Sequence, residues 1–140
     1  MKFFQTRFSL PPLSRGFHLI TEKIAAALPD LKEIDKGLCH LLLLHTSASL
    51  TLNENADASV RGDFESHFRH MIPENAPYYR HTYEGADDMP AHLKSSVLGS
   101  SLLLPVSKGK FVLGTWQGIY LGEHRNRASG RNLCATIFGA

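Results

Sequence analysis

The sequence predicts an α+β domain built mainly on antiparallel sheet. Short runs of alternating apolar residues between turn residues supply about seven strands, and only two to three stretches show helical periodicity. The helices do not alternate with the strands in the βαβ rhythm of a parallel sheet. A chain of 140 residues fits one core. No repeat, low-complexity tract or linker divides it, so residues 1–140 read as a single domain.

Phe4, Thr6, Phe8 and Leu10 alternate with Gln5, Arg7 and Ser9, a first strand with one buried face, stopped by Pro11-Pro12. Gly16 opens a short apolar piece. Thr21 is placed to cap a helix in which Ile24, Ala27 and Leu28 share a face, with Pro29 just past its end. Residues 38–44 are almost continuously apolar, a length that suits a strand buried on both faces. Ala48, Leu50 and Leu52 alternate against Ser49 and Thr51 in the next strand. Val60, Phe64 and Phe68 recur every four residues and predict a helix over 55–70. Residues 73–89, rich in Pro, Asn, Gly and Asp, form a long loop, where function often resides. Asp88 is placed to cap a helix that starts near Met89-Pro90 and ends at Gly99. Residues 101–106 form a strand, 111–124 a long strand bent at Gly114 or Gly118, and 131–138 the last strand.

The net charge of +2 is too small to predict a nucleic-acid or membrane-surface partner. No apolar run nears the ~20 residues of a membrane span. Lys2, Gln5 and Arg7 break any signal-like stretch, which leaves the cytoplasm as the default location. Cys39 and Cys134 lie in apolar runs and are expected as reduced thiols rather than a disulfide. Eight histidines point toward metal binding or proton transfer.

Three of them stand at element ends: His45, His92 and His124. His92 follows Asp88 by one helical turn, so the two side chains can meet, fixing a tautomer and raising imidazole basicity. Asp88 alone reads more simply as a cap. Lys94, Ser95 and Ser96 follow on the same helix. Trp116, Gly118, Tyr120, Gly122 and His124 share one strand face, where the glycines leave either a ligand groove or room for side chains of a facing element. Glu123, on the opposite face, is a polar group in need of partners. His45, followed by Thr46 and Ser47, reads as a metal ligand, a proton carrier or a structural residue. His81 matters only if its loop folds over His92. Arg125, Arg127 and Arg131 suit either an anionic substrate or a solvated turn. No HExxH, CxxC or P-loop is present, so metal ligands would come from separate segments. Converging neutral imidazoles would favour a zinc-like ion.

Three motifs carry a resemblance: HTSASLTLNENAD (45–57), HTYEGADDMPAHLKSS (81–96) and GTWQGIYLGEHR (114–125). Over nearly its whole length the chain resembles the YjbQ-like family, also called the secondary thiamine-phosphate synthase family. The resemblance implies about seven strands in two sheets, a β-sandwich with helices that assembles as a homotrimer. It implies an ion site near the subunit boundary built from His45, His81, His92 and His124. It also implies a thiamine-phosphate synthase-like activity, joining a pyrimidine methyl pyrophosphate to a thiazole phosphate with release of pyrophosphate. The expected cofactor is a divalent metal: zinc by its imidazole ligands, or magnesium for pyrophosphate. On that expectation we assign His92, Asp88, His45 and Glu123 as catalytic groups. Arg125 and Lys94 are assigned to phosphate, and Trp116 and Tyr120 to stacking on the pyrimidine. A metal-dependent hydrolase of a small phosphorylated substrate and a non-enzymatic metal-binding trimer are the alternatives.

Overall fold

A computed structural model describes residues 1–140. The elements run β1 (Lys2–Leu10), β2 (Gly16–Leu19), α1 (Thr21–Ala27), a 3₁₀ turn (Pro29–Glu33), β3 (Lys36–Leu43), β4 (Ala48–Glu54), α2 (Ala58–Met71), α3 (Asp88–Leu98), β5 (Ser101–Ser107), β6 (Lys110–Phe111), β7 (Gln117–Glu123) and β8 (Arg131–Gly139). They build two antiparallel sheets, one of five strands in the order β1-β8-β3-β5-β6 and one of three in the order β2-β7-β4. The α+β class and the two sheets match expectation, but there are eight strands rather than seven. Residues 111–124 are not one strand, because the chain crosses between sheets there. β6 ends at Phe111, and Gln117 closes a turn by accepting the Gly114 N–H at 2.8 Å before β7 begins on the other sheet.

The core lies between the sheets. Leu41, Leu104, Leu133, Ala135 and Ile137 of the large sheet meet Leu50, Ile119 and Leu121 of the small one, closed at one side by Ile20 and Ile24. Each such leucine or isoleucine contributes roughly 1.5–3 kcal/mol on burial. The other face of the small sheet is covered by helices: Phe17 and Tyr120 pack against Phe64, and Phe17 against Phe68 of α2. α3 packs on β4. No helix is long and apolar enough to cross a membrane.

Two local expectations change. Thr21 does not cap α1; its Oγ1 accepts the Ile119 N–H of β7 at 2.8 Å and so ties the helix to the sheet. β3 is buried on one face only. Cys39, Leu41 and Leu43 point inward, while Leu42 is 37% exposed, because nothing in one chain covers the outer face of the large sheet. Phe3 (71%) and Leu103 (59%) are exposed on that face as well. Both cysteines are free, and burial pushes the Cys39 thiol up to about 12, which leaves it inert.

Candidate metal centre

The site is organised by the first turn of α3. Asp87 occupies the cap position without a side-chain capping bond, and Asp88 is the first helical residue. Neither aspartate serves the helix end, so the capping role expected of Asp88 is replaced by a sideways one. Arg125, just past β7, takes both: Nε donates to Asp87 Oδ2 at 2.8 Å and Nη1 to Asp88 Oδ1 at 2.6 Å. Its Nη2 donates to Glu84 O at 2.8 Å, which pulls the long loop down over α3. Burial would raise the Asp87 carboxyl, but the Asn126 N–H and the Arg125 guanidinium outweigh it and hold it below the usual carboxylate range.

With Oδ1 held by Arg125, the buried Asp88 (1% exposed) presents Oδ2 to two histidines. The His81 Nε2 lies 2.8 Å away and the His92 Nε2 3.1 Å away. One donor atom from each of the three residues falls within 4.8 Å of the others. The loop histidine thus does fold over His92; their rings are 5.4 Å apart.

The hydrogen bonds of His92 make this cluster unusual. His92 Nδ1 lies 2.8 Å from Thr46 O. A carbonyl only accepts, so Nδ1 carries the proton and the neutral ring has its lone pair on Nε2. That lone pair faces a carboxylate oxygen. A second proton or a cation between them is required. Imidazole fixed through Nδ1–H to a carbonyl, with Nε2 toward a cation, is how metal-bound histidines are oriented. Two imidazoles and a carboxylate suit zinc. Magnesium prefers oxygen ligands, so these residues fit it less well.

Beside the cluster is an open cavity of about 530 Å³ lined by His45, Thr46, His81, His92, Ser95, Ser96, Gly99 and Ser100. Its lining contains no apolar side chain and no lysine or arginine. Gly99, at φ 100°, takes the left-handed turn that ends α3 at the cavity floor.

The remaining candidates lie elsewhere. His124 is buried (1% exposed) beneath α3, its Nε2 2.8 Å from Ser49 Oγ. A Cβ at Gly122 would collide with that hydroxyl and lie 2.8 Å from the His124 ring, so this glycine makes room for the pair. A Cβ at Gly118 would lie 2.6 Å from Leu19 Cδ2. The strand face is therefore filled by neighbouring side chains and contains no groove. Tyr120 is buried with its hydroxyl donating to Glu54 O, and Trp116, in the turn before β7, is 65% exposed away from the cavity. Lys94 is buried with no partner for Nζ, and burial, with the Arg15 charge, lowers its pKa. Glu123 is buried against Arg131, which also donates to Ser47 Oγ at 3.0 Å. Neither Lys94, Glu123 nor Arg125 lines the cavity. From sequence, Ser95 and Ser96 were named without a role and Ser100 was not named, although all three line the cavity; the serines between 95 and 101 were the available signal.

Burial, reinforced by the charges of Lys94, Arg15 and Arg131, pushes the His124 pKa down to about 3. The unfolded chain then binds a proton near pH 6.5 that the folded chain refuses. Stability should fall by up to about 1.4 kcal/mol per pH unit as pH drops from 6.5 toward 3. Denaturant melts of wild type and His124→Asn between pH 7 and pH 4 measure this, and the variant should show a flatter profile.

A two-sheet α+β sandwich with an imidazole–carboxylate cluster between a helix and the loop that covers it defines the class of the molecule. The family model described as UPF0047 protein YjbQ-like matches residues 6–140. The UPF0047 protein YjbQ of Salmonella typhimurium is 58% identical over 137 residues, which cover 98% of this chain and 99% of that one. A conserved hypothetical protein from Thermus thermophilus has a TM-score of 0.81 at 35% identity, covering 93% of this chain and 97% of that one. A YbjQ-like protein from Sulfolobus solfataricus has a TM-score of 0.86 over 99% of both chains at 24% identity, a likeness of fold alone. The chain belongs to the YjbQ family.

Proposed function

We propose that the protein is an enzyme that holds one divalent ion, zinc, on His81, Asp88 and His92 and acts on a small phosphorylated substrate in the adjoining cavity. The carrying observation is the His92 lone pair facing Asp88 Oδ2, a contact that a cation reconciles. Three protein ligands leave a coordination position open to the cavity, as catalysis requires. When bound, the ion supplies Lewis-acid stabilisation of an oxyanion. Thr46, Ser95, Ser96 and Ser100 offer hydroxyls to the same ligand. With no lysine or arginine on the wall, the substrate's charge must be met by the ion and these neutral donors.

Within this proposal the specific reaction is thiamine-phosphate synthase-like transfer, in which the thiazole nitrogen bonds the methylene carbon on the pyrimidine as that carbon's bond to pyrophosphate breaks. The pyrimidine needs an aromatic or apolar wall that the single-chain cavity lacks. A homotrimer is the natural source. Phe3, Leu42, Leu44 and Leu103 are exposed, and Leu44 directly precedes His45, so a copy seated on the large sheet would border the cavity. The alternative reaction is hydrolysis of the phosphorylated substrate.

Pyrophosphate release by zinc-loaded and zinc-stripped protein, with one or both precursors, separates the possibilities. Zinc-dependent release that needs the thiazole phosphate supports transfer. Release without it supports hydrolysis. No release under either condition removes the enzymatic proposal.

A further inference from the structure

The ring of His45 stands where β3 leaves β8. β3 pairs with β8 up to Leu43 opposite Leu133, and Leu44 N then donates to Asn132 O at 2.9 Å. The N–H of Asn132 donates to His45 Nε2 at 2.7 Å. A backbone N–H only donates, so Nε2 holds the lone pair and the ring proton sits on Nδ1. Burial, helped by the Arg131 charge and opposed by Glu123, holds this imidazole below its usual pKa range and favours the neutral form. His45 lines the cavity beside His81 and His92, and no protein group takes its Nδ1.

This tautomer is a poor metal ligand. An ion at Nδ1 would have to displace the proton, and Nε2 cannot receive it while facing the Asn132 N–H. An ion at Nε2 would have to break the Asn132 bond. His92 is arranged the opposite way, with Nδ1–H committed to a carbonyl and Nε2 left toward the cluster. The two histidines therefore divide the labour: one presents a lone pair, the other a proton.

We propose that His45 is a substrate-binding donor and not a metal ligand, its Nδ1–H bonding an oxygen of a phosphoryl or pyrophosphoryl group in the cavity. The substrate class rests on the function proposed above; the tautomer does not. A donor of this kind suits a cavity that contains no cationic side chain, since a hydrogen bond to a charged oxygen is about twice as strong as a neutral one.

The test combines ring-nitrogen NMR with binding of zinc and of inorganic pyrophosphate. It uses wild type, His45→Phe, which keeps shape without the donor, and His45→Gln, which restores an N–H. The proton is expected on His45 Nδ1 before and after zinc, with zinc-induced shifts confined to His81 and His92. His45→Phe should keep its zinc and bind pyrophosphate about ten- to a hundredfold more weakly, with part of the affinity restored in His45→Gln. Loss of zinc in His45→Phe, a proton on Nε2, unchanged pyrophosphate affinity in that variant or a wild type that binds no pyrophosphate would each overturn the proposal. A wild type that takes up no zinc refutes the metal centre instead, and the tautomer and pyrophosphate affinities still decide the role of His45.

Discussion

Asp88→Asn is expected to weaken zinc binding by at least about a hundredfold, the upper end of what losing even an outer-sphere partner costs. The asparagine keeps the shape of the aspartate, and its carbonyl can still accept from Arg125 Nη1, so the long loop should stay docked through Asp87 and Glu84 O. What it loses is the negative oxygen toward which His81 and His92 converge. Competition with a chelating indicator measures the affinity, and circular dichroism confirms the fold. An unchanged affinity would mean that the ion, if bound at all, sits elsewhere.

Arg131→Ala is expected to cost about 3–5 kcal/mol of stability, because it strands a buried carboxylate. Glu123 has no exposure, and both of its oxygens accept from Arg131; Oε2 also takes the Arg125 N–H at 3.1 Å. The melting temperature should fall by roughly 10–20 °C. The double variant Arg131→Met, Glu123→Leu should recover most of that loss, since well-packed apolar replacements of buried pairs are often neutral or better. A stable Arg131→Ala single variant would show that Glu123 finds another partner and would contradict its role as an anchor. On the geometry, Glu123 acts as an anchor: it fixes the end of β7 and so the position of Arg125, which in turn aims Asp88.

The Asp88–His92 pair was legible because both residues lie on one helix at a four-residue spacing. His81 entered only conditionally and through the resemblance, because a loop's path over a helix is set by Arg125, which reaches Asp88 from 37 residues away and the Glu84 carbonyl from 41. Arg125 itself was read as a phosphate ligand. Sequence cannot show that its donors are already taken by two aspartates and a carbonyl. The histidine at 124 looked like a member of the site because it ends a strand as His45 does. Its parity on β7 instead turns it under α3, toward Ser49 and Lys94. Most strands followed from alternation. The break at Gly114 was legible only as a bend, since strand-forming residues (Phe111, Val112, Thr115, Trp116) flank it on both sides and nothing local shows that the chain changes sheets there. The one-sided burial of β3 was hidden for a different reason. Leu42 and Leu44 are as apolar as a two-face core strand, yet nothing in the chain covers them.

The most direct measurement is an anomalous-scattering map at the zinc edge from crystals of the full chain grown with the metal. The proposed centre predicts one strong peak bonded to His81 Nε2, Asp88 Oδ2 and His92 Nε2, open toward the cavity, with His45 still accepting from Asn132 N. A peak on His124, a peak that takes His45 as a ligand, or no peak at the three residues would contradict it.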